Sequence, residues 1–309
     1  MLTDKPNWQE NLSGIIAVYK PGGWTSFDVV AKLRGILRIK RLGHGGTLDP
    51  MAEGVLPVFV GKATKACDII PDRRKEYSAG FKLGMSTDTQ DITGKILTES
   101  PAEVNLEKLK AAAETFVGDI MQIPPMYSAV KVNGKKLYEL AREGKTVERE
   151  PRPIRVNSIE ITEYDESKRE GKMYVRCEKG TYIRTIIYDI GEKLGTGGVM
   201  TTLVRTYSGG CGISDCHTLE EIQALVNEEK IGDIIIPTDK AFAEYEEVRL
   251  SKRITELYKN GVKLRPEQTG RSPDDRSYRV YGAENEFLGI GHFVNGEFRS
   301  KKNLFSGAK

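Results

Sequence analysis

The sequence predicts an α+β protein of about two domains. Three observations carry that expectation. Short apolar runs that read as strands are interleaved with segments of helical period, in no strict βαβ alternation. The length of 309 residues is more than one ordinary domain needs. Near residue 245 the texture changes from helix and acidic loop to a polar Gly/Pro/Asp loop between short strands, which is the size of a small β-rich module with its own core. At 39% hydrophobic and 29% charged residues the chain suits an ordinary soluble protein with a sizeable core. No apolar run approaches the ~18 residues of a membrane span, and the N-terminal MLTDKPNWQE lacks a signal-peptide pattern. The expected compartment is the cytoplasm, with no membrane partner.

The elements follow in order. GIIAVYKPGGW (14–24) reads as a strand running into a turn. Ser26 is placed to cap the next helix, with Asp28 favoured in its first turn by the helix dipole. Val29, Val30, Leu33, Ile36 and Leu37 fall at helical spacing and predict an amphipathic helix over 27–39. VLPVFV (55–60) is a buried strand, followed by a short helix near 62–69. Residues 75–84 and 91–98 read as strands joined by the turn TDTQD. A helix over 105–117 closes at Gly118. Strands near 154–163 and 172–178, a helix at 182–194, a strand near 200–207 and a helix at 218–229 complete a first domain, 1–244. In the second, 245–309, a helix at 251–260 precedes strands near 278–282 and 287–294. There is no internal repeat.

Residues 122–155 differ in character. Proline pairs bound the segment, VNGKKL is a hairpin-like turn, and YELAREG is a short helix. An inserted lobe is expected. Charge is segregated along the chain: residues 20–45 carry six Lys/Arg and one Asp, 127–156 eight Lys/Arg and four Glu, and 214–247 ten Asp/Glu and two Lys. Such asymmetry fits a face that binds a polyanion and an acidic back.

GHGGTLDPMAEGVLP (43–57) is the most informative stretch. Gly43, Gly45 and Gly46 allow positive φ and close approach to a ligand. Pro50 biases Asp49 toward extended geometry and so stiffens the turn that presents its carboxylate. Loops on a rigid scaffold are where catalytic groups tend to lie. Three further elements go with Asp49. Tyr77 is an aromatic beside several cations, suited to stacking on a base. Arg184 begins a helix after a Gly turn, where a guanidinium could form a bidentate pair with a carboxylate. Lys20 and His44 lie on the loops nearest the Asp49 strand. Taken singly, these residues also fit plainer roles as a core tyrosine, a surface arginine and a solvated lysine.

Other chemistries are excluded. GKAT at 61–64 lacks the glycine five residues earlier that a phosphate loop requires, and no GxGxxG opens a helix. Four cysteines in a chain of this length are no disulfide framework. Cys67 and Cys177 sit in apolar stretches as buried thiols. CGISDCH, with Cys211, Cys216 and His217, has neither tight ligand spacing nor a second pair nearby, so a small-residue turn is favoured over a metal site.

KPGGWTSFDVV (20–30), GHGGTLDPMAEGVL (43–56), KEYSAGFKLGMSTDTQDITG (75–94) and KGTYIRTIIYDIG (179–191) resemble, in order, the motif set of the TruB family, the tRNA pseudouridine-55 synthases. The resemblance runs from about residue 14 to 207 and more loosely to the end. It implies the pseudouridine-synthase fold, with a mixed, largely antiparallel central sheet, and a C-terminal module similar to a small PUA domain. It implies that Asp49 is the catalytic aspartate, that Tyr77 stacks on the target uracil, and that Arg184 pairs with the aspartate. It further implies that His44 fills the space left by the extruded base, that Tyr182 and Leu203 line the uridine pocket, and that Lys20 supports the first motif. The 122–155 insertion resembles the thumb of the bacterial enzymes, which grips the T stem-loop of tRNA. Relatives of the guide-RNA type lack it, so neither guide RNA nor a protein partner is expected.

The chemistry is consistent with this assignment. Conversion of uridine to pseudouridine breaks C1′–N1 and forms C1′–C5, an isomerisation that calls for no cofactor and no metal. The base must leave its stack first, at a cost of a few kcal/mol, which stacking worth about 1–3 kcal/mol offsets. Glycosidic cleavage builds positive charge on the sugar, where one carboxylate can act as nucleophile or charge stabiliser. The rival class is a non-catalytic RNA-binding or RNA-folding protein, for which Asp49 would have no purpose.

Overall fold

The computed structural model describes residues 12–305 apart from Asn133. The N-terminal residues 1–10 and the asparagine of VNGKKL therefore lie outside the described residues. A mixed sheet forms the centre. Its strands are β1 (Gly14–Lys20), β2 (Leu42–His44), β3 (Glu53–Val60), β4 (Arg74–Leu83), β7 (Gly118–Gln122), β10 (Arg152–Asp165), β11 (Glu170–Glu178), β12 (Gly198–Ser208) and β13 (Cys211–Gly212). The order is β1-β3-β12-β4-β11-β10-β7, with β2 on β3 and β13 on β12. Every pairing is antiparallel except β3 with β12, which is parallel through Val204↔Glu53 and Arg205↔Gly54. At that seam Gly54 has φ +97°, and a Cβ there would lie 2.3 Å from the Arg205 carbonyl oxygen, so only glycine lets the two strands meet.

Helices cover one face in two groups. α1 (Ser26–Leu37) and α5 (Leu219–Asn227) pack on β1, β2 and β3 through Val29, Leu33, Leu37 and Ile222. α2 (Leu106–Glu114) and α4 (Ile183–Lys193) pack on β4, β10, β11 and β12 through Leu109, Ile186, Ile187 and Ile190. Alternate residues of β4, namely Tyr77, Ala79, Phe81 and Leu83, enter this second core, as the two-residue strand period requires.

The sequence-based boundaries shift in several places. Thr25, not Ser26, caps α1: its side chain accepts from Asp28 N–H, while Asp28 accepts from Thr25 N–H. Ser26 is buried and its hydroxyl bonds both polar groups of the Leu48 backbone. A short polar side chain next to a cap has this alternative whenever another loop comes within reach. The helix expected over 105–117 is α-helical only to Glu114; its last residues close i→i+3 bonds. The expected strand 91–98 is borne out only at its end: the turn expected at TDTQD runs on from 88 to 95, between two short strands, β5 (Met85–Thr87) and β6 (Ile96–Glu99). The helix near 62–69 is a 3₁₀ segment, Gly61–Ala66.

The lobe joins the edge strand β7 to its neighbour β10, which pair Gln122↔Arg152. It holds a two-residue hairpin, β8 (Lys131–Val132) with β9 (Lys135–Lys136), and the helix α3 (Leu137–Arg142). Fully buried Leu137 anchors it. β10 starts at Arg152, inside the expected segment, so the insertion proper is 123–151.

The C-terminal sheet is β14 (Glu247–Arg249), β15 (Ser277–Tyr281), β16 (Phe287–Val294) and β17 (Glu297–Asn303), beside α6 (Lys252–Lys259). It has its own core of Tyr258, Tyr278, Leu288, Phe293 and Phe298. A further apolar cluster, Ala66, Phe242, Ile290 and Leu304, joins it to the segment that follows β3. Sequence patterning missed β14 because it is three residues long, and β17 because EFRSKKN shows no apolar alternation. Among the described residues no helix is long and apolar enough to cross a membrane.

Candidate active site

The Gly-rich turn between β2 and β3 is tied down along its whole length. Gly46 has φ +100°, whereas Gly43 and Gly45 do not use positive φ. Gly45 serves packing: a Cβ there would lie 3.0 Å from the Phe59 ring. Leu48 is held by Ser26, and the Pro50 carbonyl accepts from Gly23 N–H at 2.8 Å and from Lys20 Nζ at 3.2 Å. Lys20 is fully buried and also donates to the carbonyls of Pro21 and Trp24. Burial pulls its pKa down to about 8. Lys20 thus closes the 20–24 loop onto the turn and does not face a ligand.

Asp49 projects from this turn with its side chain 36% exposed, and its Oδ2 lies 2.9 Å from Nη2 of Arg184, which is 4% exposed. The contact is through one oxygen and one nitrogen rather than bidentate. The rest of the guanidinium is engaged elsewhere: Nη1 donates to the Thr89 carbonyl and Nη2 to the Tyr127 carbonyl, both at 2.9 Å, and Asp91 Oδ2 stands 3.7 Å from Nη1. Asp91 is itself held by the Thr89 hydroxyl and by Thr93 through both N–H and hydroxyl. Arg184 therefore sits between a fixed, buried carboxylate and an accessible one. Opposite charge and hydrogen bonds on several sides make a buried guanidinium tolerable and orient it.

Tyr182 caps α4, and buried Gln122 clasps its backbone, donating Nε2 to the carbonyl and accepting from the N–H. This fixes the helix start that carries Arg184. Tyr77 and Leu203 are almost wholly buried, in the same core as Leu48 and Ala52 on the Asp49 turn. Burial raises the Tyr77 hydroxyl pKa, and Arg205 lies beside it and opposes that rise. His44 is partly buried with Nδ1 unpartnered, and burial pushes its pKa down. Asp49, Arg184, Tyr77, Tyr182 and Leu203 are thus gathered on one region of β4, β12, α4 and the turn, while Lys20 and His44 flank it.

Sequence reasoning missed four residues. Asp91 lies where the expected turn TDTQD meets the expected strand 91–98, and Gln122 opens the expected lobe 122–155. Arg205 and Lys75 are cations in strands. Arg205 is 1% exposed and donates Nε to the Val55 carbonyl, Nη2 to that of Gly46 and Nη1 to that of Thr47. The signal for it was present: an arginine inside the apolar alternation of VMTTLVRTY needs a reason to be buried. Cys177 is buried, Cys67 only partly so. Cys211 and Cys216 have their thiols pushed up to about 11 and about 12 by burial. His217 pairs with β1 through its backbone. Among the described residues no group of three or more His, Cys, Asp or Glu is placed to hold a metal.

By fold the chain is a pseudouridine synthase. It is similar to the solved Cbf5-Nop10-Gar1 complex, with a TM-score of 0.73 and 27% identity, covering 94% of this chain and 85% of that one. It is similar also to the archaeal box H/ACA sRNP Nop10-Cbf5 complex, with a TM-score of 0.72 and 25% identity, covering 98% and 89%. The TruB family pseudouridylate synthase (N terminal domain) model matches residues 34–183, and the tRNA pseudouridylate synthase B C-terminal domain model matches 184–243. Curated relatives include the tRNA pseudouridine synthase B of Clostridium tetani, 45% identical over 295 residues and covering 95% of this chain and all of that one. That of Lactococcus lactis subsp. cremoris is 45% identical over 262 residues, covering 82% and 79%. The chain belongs to the TruB family of pseudouridylate synthases.

Proposed function

We propose that this enzyme converts uridine 55 in the T-loop of tRNA to pseudouridine, with Asp49 as the catalytic carboxylate. The observation that carries this reading is the accessible Asp49 carboxylate 2.9 Å from buried Arg184, on a turn whose backbone is held by Ser26, Lys20 and Arg205. Its relatives' names supply tRNA, and the four ordered motifs supply the position. The flipped uridine stacks on Tyr77 and is bounded by Leu203 and Tyr182, while His44 occupies the vacated stack. Cleavage of C1′–N1 develops positive charge on the sugar and negative charge on the uracil. Asp49 stabilises or captures the former, and the uracil turns and forms C1′–C5. The C5 proton is then lost and N1 gains one, so atoms balance with no cofactor or co-reactant.

The enzyme acts alone. The 123–151 insertion supports this: it carries the basic cluster Lys131, Lys135, Lys136, Arg142, Lys145 and Arg149, and its root reaches the site, because the Tyr127 carbonyl accepts from Arg184. A clamp built on the catalytic arginine's own partner couples RNA capture to the site without a guide. The C-terminal sheet is proposed as a PUA-like RNA-binding module, divided from the catalytic domain at about residue 245. Incubating unmodified tRNA with the purified chain and nothing else, then mapping pseudouridine, tests the whole reading. Modification at position 55 is expected; no modification, or modification only with added RNA or protein, overturns it.

A further inference from the structure

The turn has a second charged end. Lys75 lies two residues before Tyr77 on β4, on the same face, opposite Cys177 on β11 and Ser208 on β12. Its Nζ donates to Ser208 Oγ at 2.5 Å. Gly46 opens between two cations: a Cβ built on it would lie 3.8 Å from Arg205 Nη1 and 3.9 Å from Lys75 Nζ. The positive φ of Gly46 and its missing side chain leave that approach clear.

What Lys75 lacks is an anion. Among the described residues neither Lys75 nor Arg205 forms an ion pair. The groups facing Lys75 are Arg205 from β12, Asp72 from the loop before β4, Cys177 from β11 and Cys211 from β13. Asp72 is engaged by the Tyr207 hydroxyl at 2.6 Å and by Arg74 at 3.9 Å. The two thiols are pushed up to about 12 and about 11 by burial, so they carry no charge near neutral pH. Burial and Arg205 together pull Lys75 down to about 8. Buried charges are normally paired, and Arg184, at the other end of the same turn, is paired twice. A mostly buried ammonium beside a guanidinium, open toward a side-chain-free glycine, is arranged for an anion that arrives with the substrate.

We propose that Lys75, with Arg205 behind it, receives a non-bridging oxygen of a phosphodiester flanking the target uridine, over Gly46. The inference rests on the reading of RNA as the substrate. A flipped nucleotide brings its two flanking phosphates within a few ångströms of the sugar that Asp49 addresses, and these are the anions such a substrate has to offer. Lys75 is then a substrate-binding residue that holds the backbone while the base turns.

The test uses the full chain and a T-arm hairpin RNA. Lys75→Met should weaken hairpin binding about three- to tenfold and make the dependence of log K on log salt shallower by roughly 0.7, the value for one single-strand phosphate contact. Its thermal midpoint should be unchanged or higher, because an unpaired buried charge has gone; a purely structural lysine would lower it. Lys75→Gln, which can still bond Ser208, should show the same binding loss. Hairpins with a single methylphosphonate at each linkage around the target uridine locate the contact. Neutralising one flanking linkage should weaken wild type, and Lys75→Met should show no further loss there. Losses that multiply at every linkage, unchanged affinity and salt slope in both variants, or unfolding of both variants would overturn the inference. If wild type modifies tRNA while these variants bind normally, only this inference falls; if wild type makes no pseudouridine at all, the functional reading falls first.

Discussion

The turn that carries Asp49 is gripped at its two ends by buried arginines that are satisfied in opposite ways. Arg184 meets two carboxylates, one fixed (Asp91) and one accessible (Asp49), together with two carbonyls. Arg205 pairs with no carboxylate among the described residues: it donates to the carbonyls of Val55, Gly46 and Thr47 and lies beside the Tyr77 hydroxyl. At the first end the charge is balanced before any substrate arrives, so the pair can present a carboxylate in a set direction. At the second end dipoles alone hold the guanidinium, and its charge, with that of Lys75, stays uncompensated. On the proposed reading, the first end does the chemistry and the second shapes the turn and receives an anion.

The harshest way to break the first end is Asp49→Asn. It keeps size and most contacts and removes the charge. Turnover should fall on the order of 10⁴-fold or more, as when a nucleophile is lost in other enzymes, with hairpin binding kept within about tenfold. Pseudouridine formation under single-turnover conditions measures it, and substantial residual turnover would end the catalytic assignment. Next in size is Arg184→Met. It strips Asp91 and Asp49 of their shared cation, and breaking a buried pair typically costs about 3–5 kcal/mol. Urea unfolding should show a loss of that order. Arg205→Met should cost less, about 1–3 kcal/mol, because it strands carbonyls rather than charges. If Arg205→Met proves the more destabilising, the contrast between the two ends is drawn the wrong way.

The contrast also explains what could be seen in the sequence. The strand and helix periods of β1, α1, β3, α4 and β12 were legible because each buries one face on a large core. Asp49, Tyr77 and Arg184 stood out because glycines, a proline and a helix start surround them. Asp91 was hidden, because its work depends on a turn that runs past TDTQD to residue 95 and replaces the first part of the expected strand. Ser26 was misplaced because two loops distant in sequence compete for one hydroxyl. Lys75 and Arg205 sit in strands whose pattern says only that they point inward. Their importance comes from the parallel seam between β3 and β12 and from the Gly46 turn above it, and both are products of topology.

The lobe offers a third, milder comparison, between a site that orders charge by burial and one that displays it. Lys135 and Lys145 share Glu143 on exposed surface, where each pair is worth little, and Lys136 and Arg142 stack near the half-buried Tyr138 ring. Changing Lys131, Lys135 and Lys136 together to Glu should leave the thermal midpoint almost unmoved. Hairpin affinity should drop at least about tenfold and the salt slope should become shallower, while single-turnover rates at saturating RNA stay near wild type. Unchanged affinity and slope would remove the clamp reading and reopen dependence on a guide RNA.

The smallest effect is in the pH dependence, where stability and RNA affinity should move in opposite directions at Lys75. Lys20 and Lys75 are both drawn down to about 8 by burial, from an ordinary 10.5. Between those values the unfolded chain keeps protons that the folded chain has released, so these two groups make stability rise with pH across that window. Facing Lys20 are Glu53, Asp49, Asp28 and Arg205, and its ammonium is capped by three carbonyls; facing Lys75 are Arg205, Asp72 and the two thiols. Lys75→Met removes one of the two contributions. Its urea midpoint should therefore exceed that of wild type at pH 7 and approach it at pH 9.5. Hairpin affinity should run the other way: wild type loses its advantage over Lys75→Met as pH rises through about 8 to 9, because a neutral amine no longer attracts the phosphate. An advantage that stays constant from pH 7 to 9.5 would mean that Lys75 acts through shape alone, and both ends of the turn would then serve only to hold Asp49 in place.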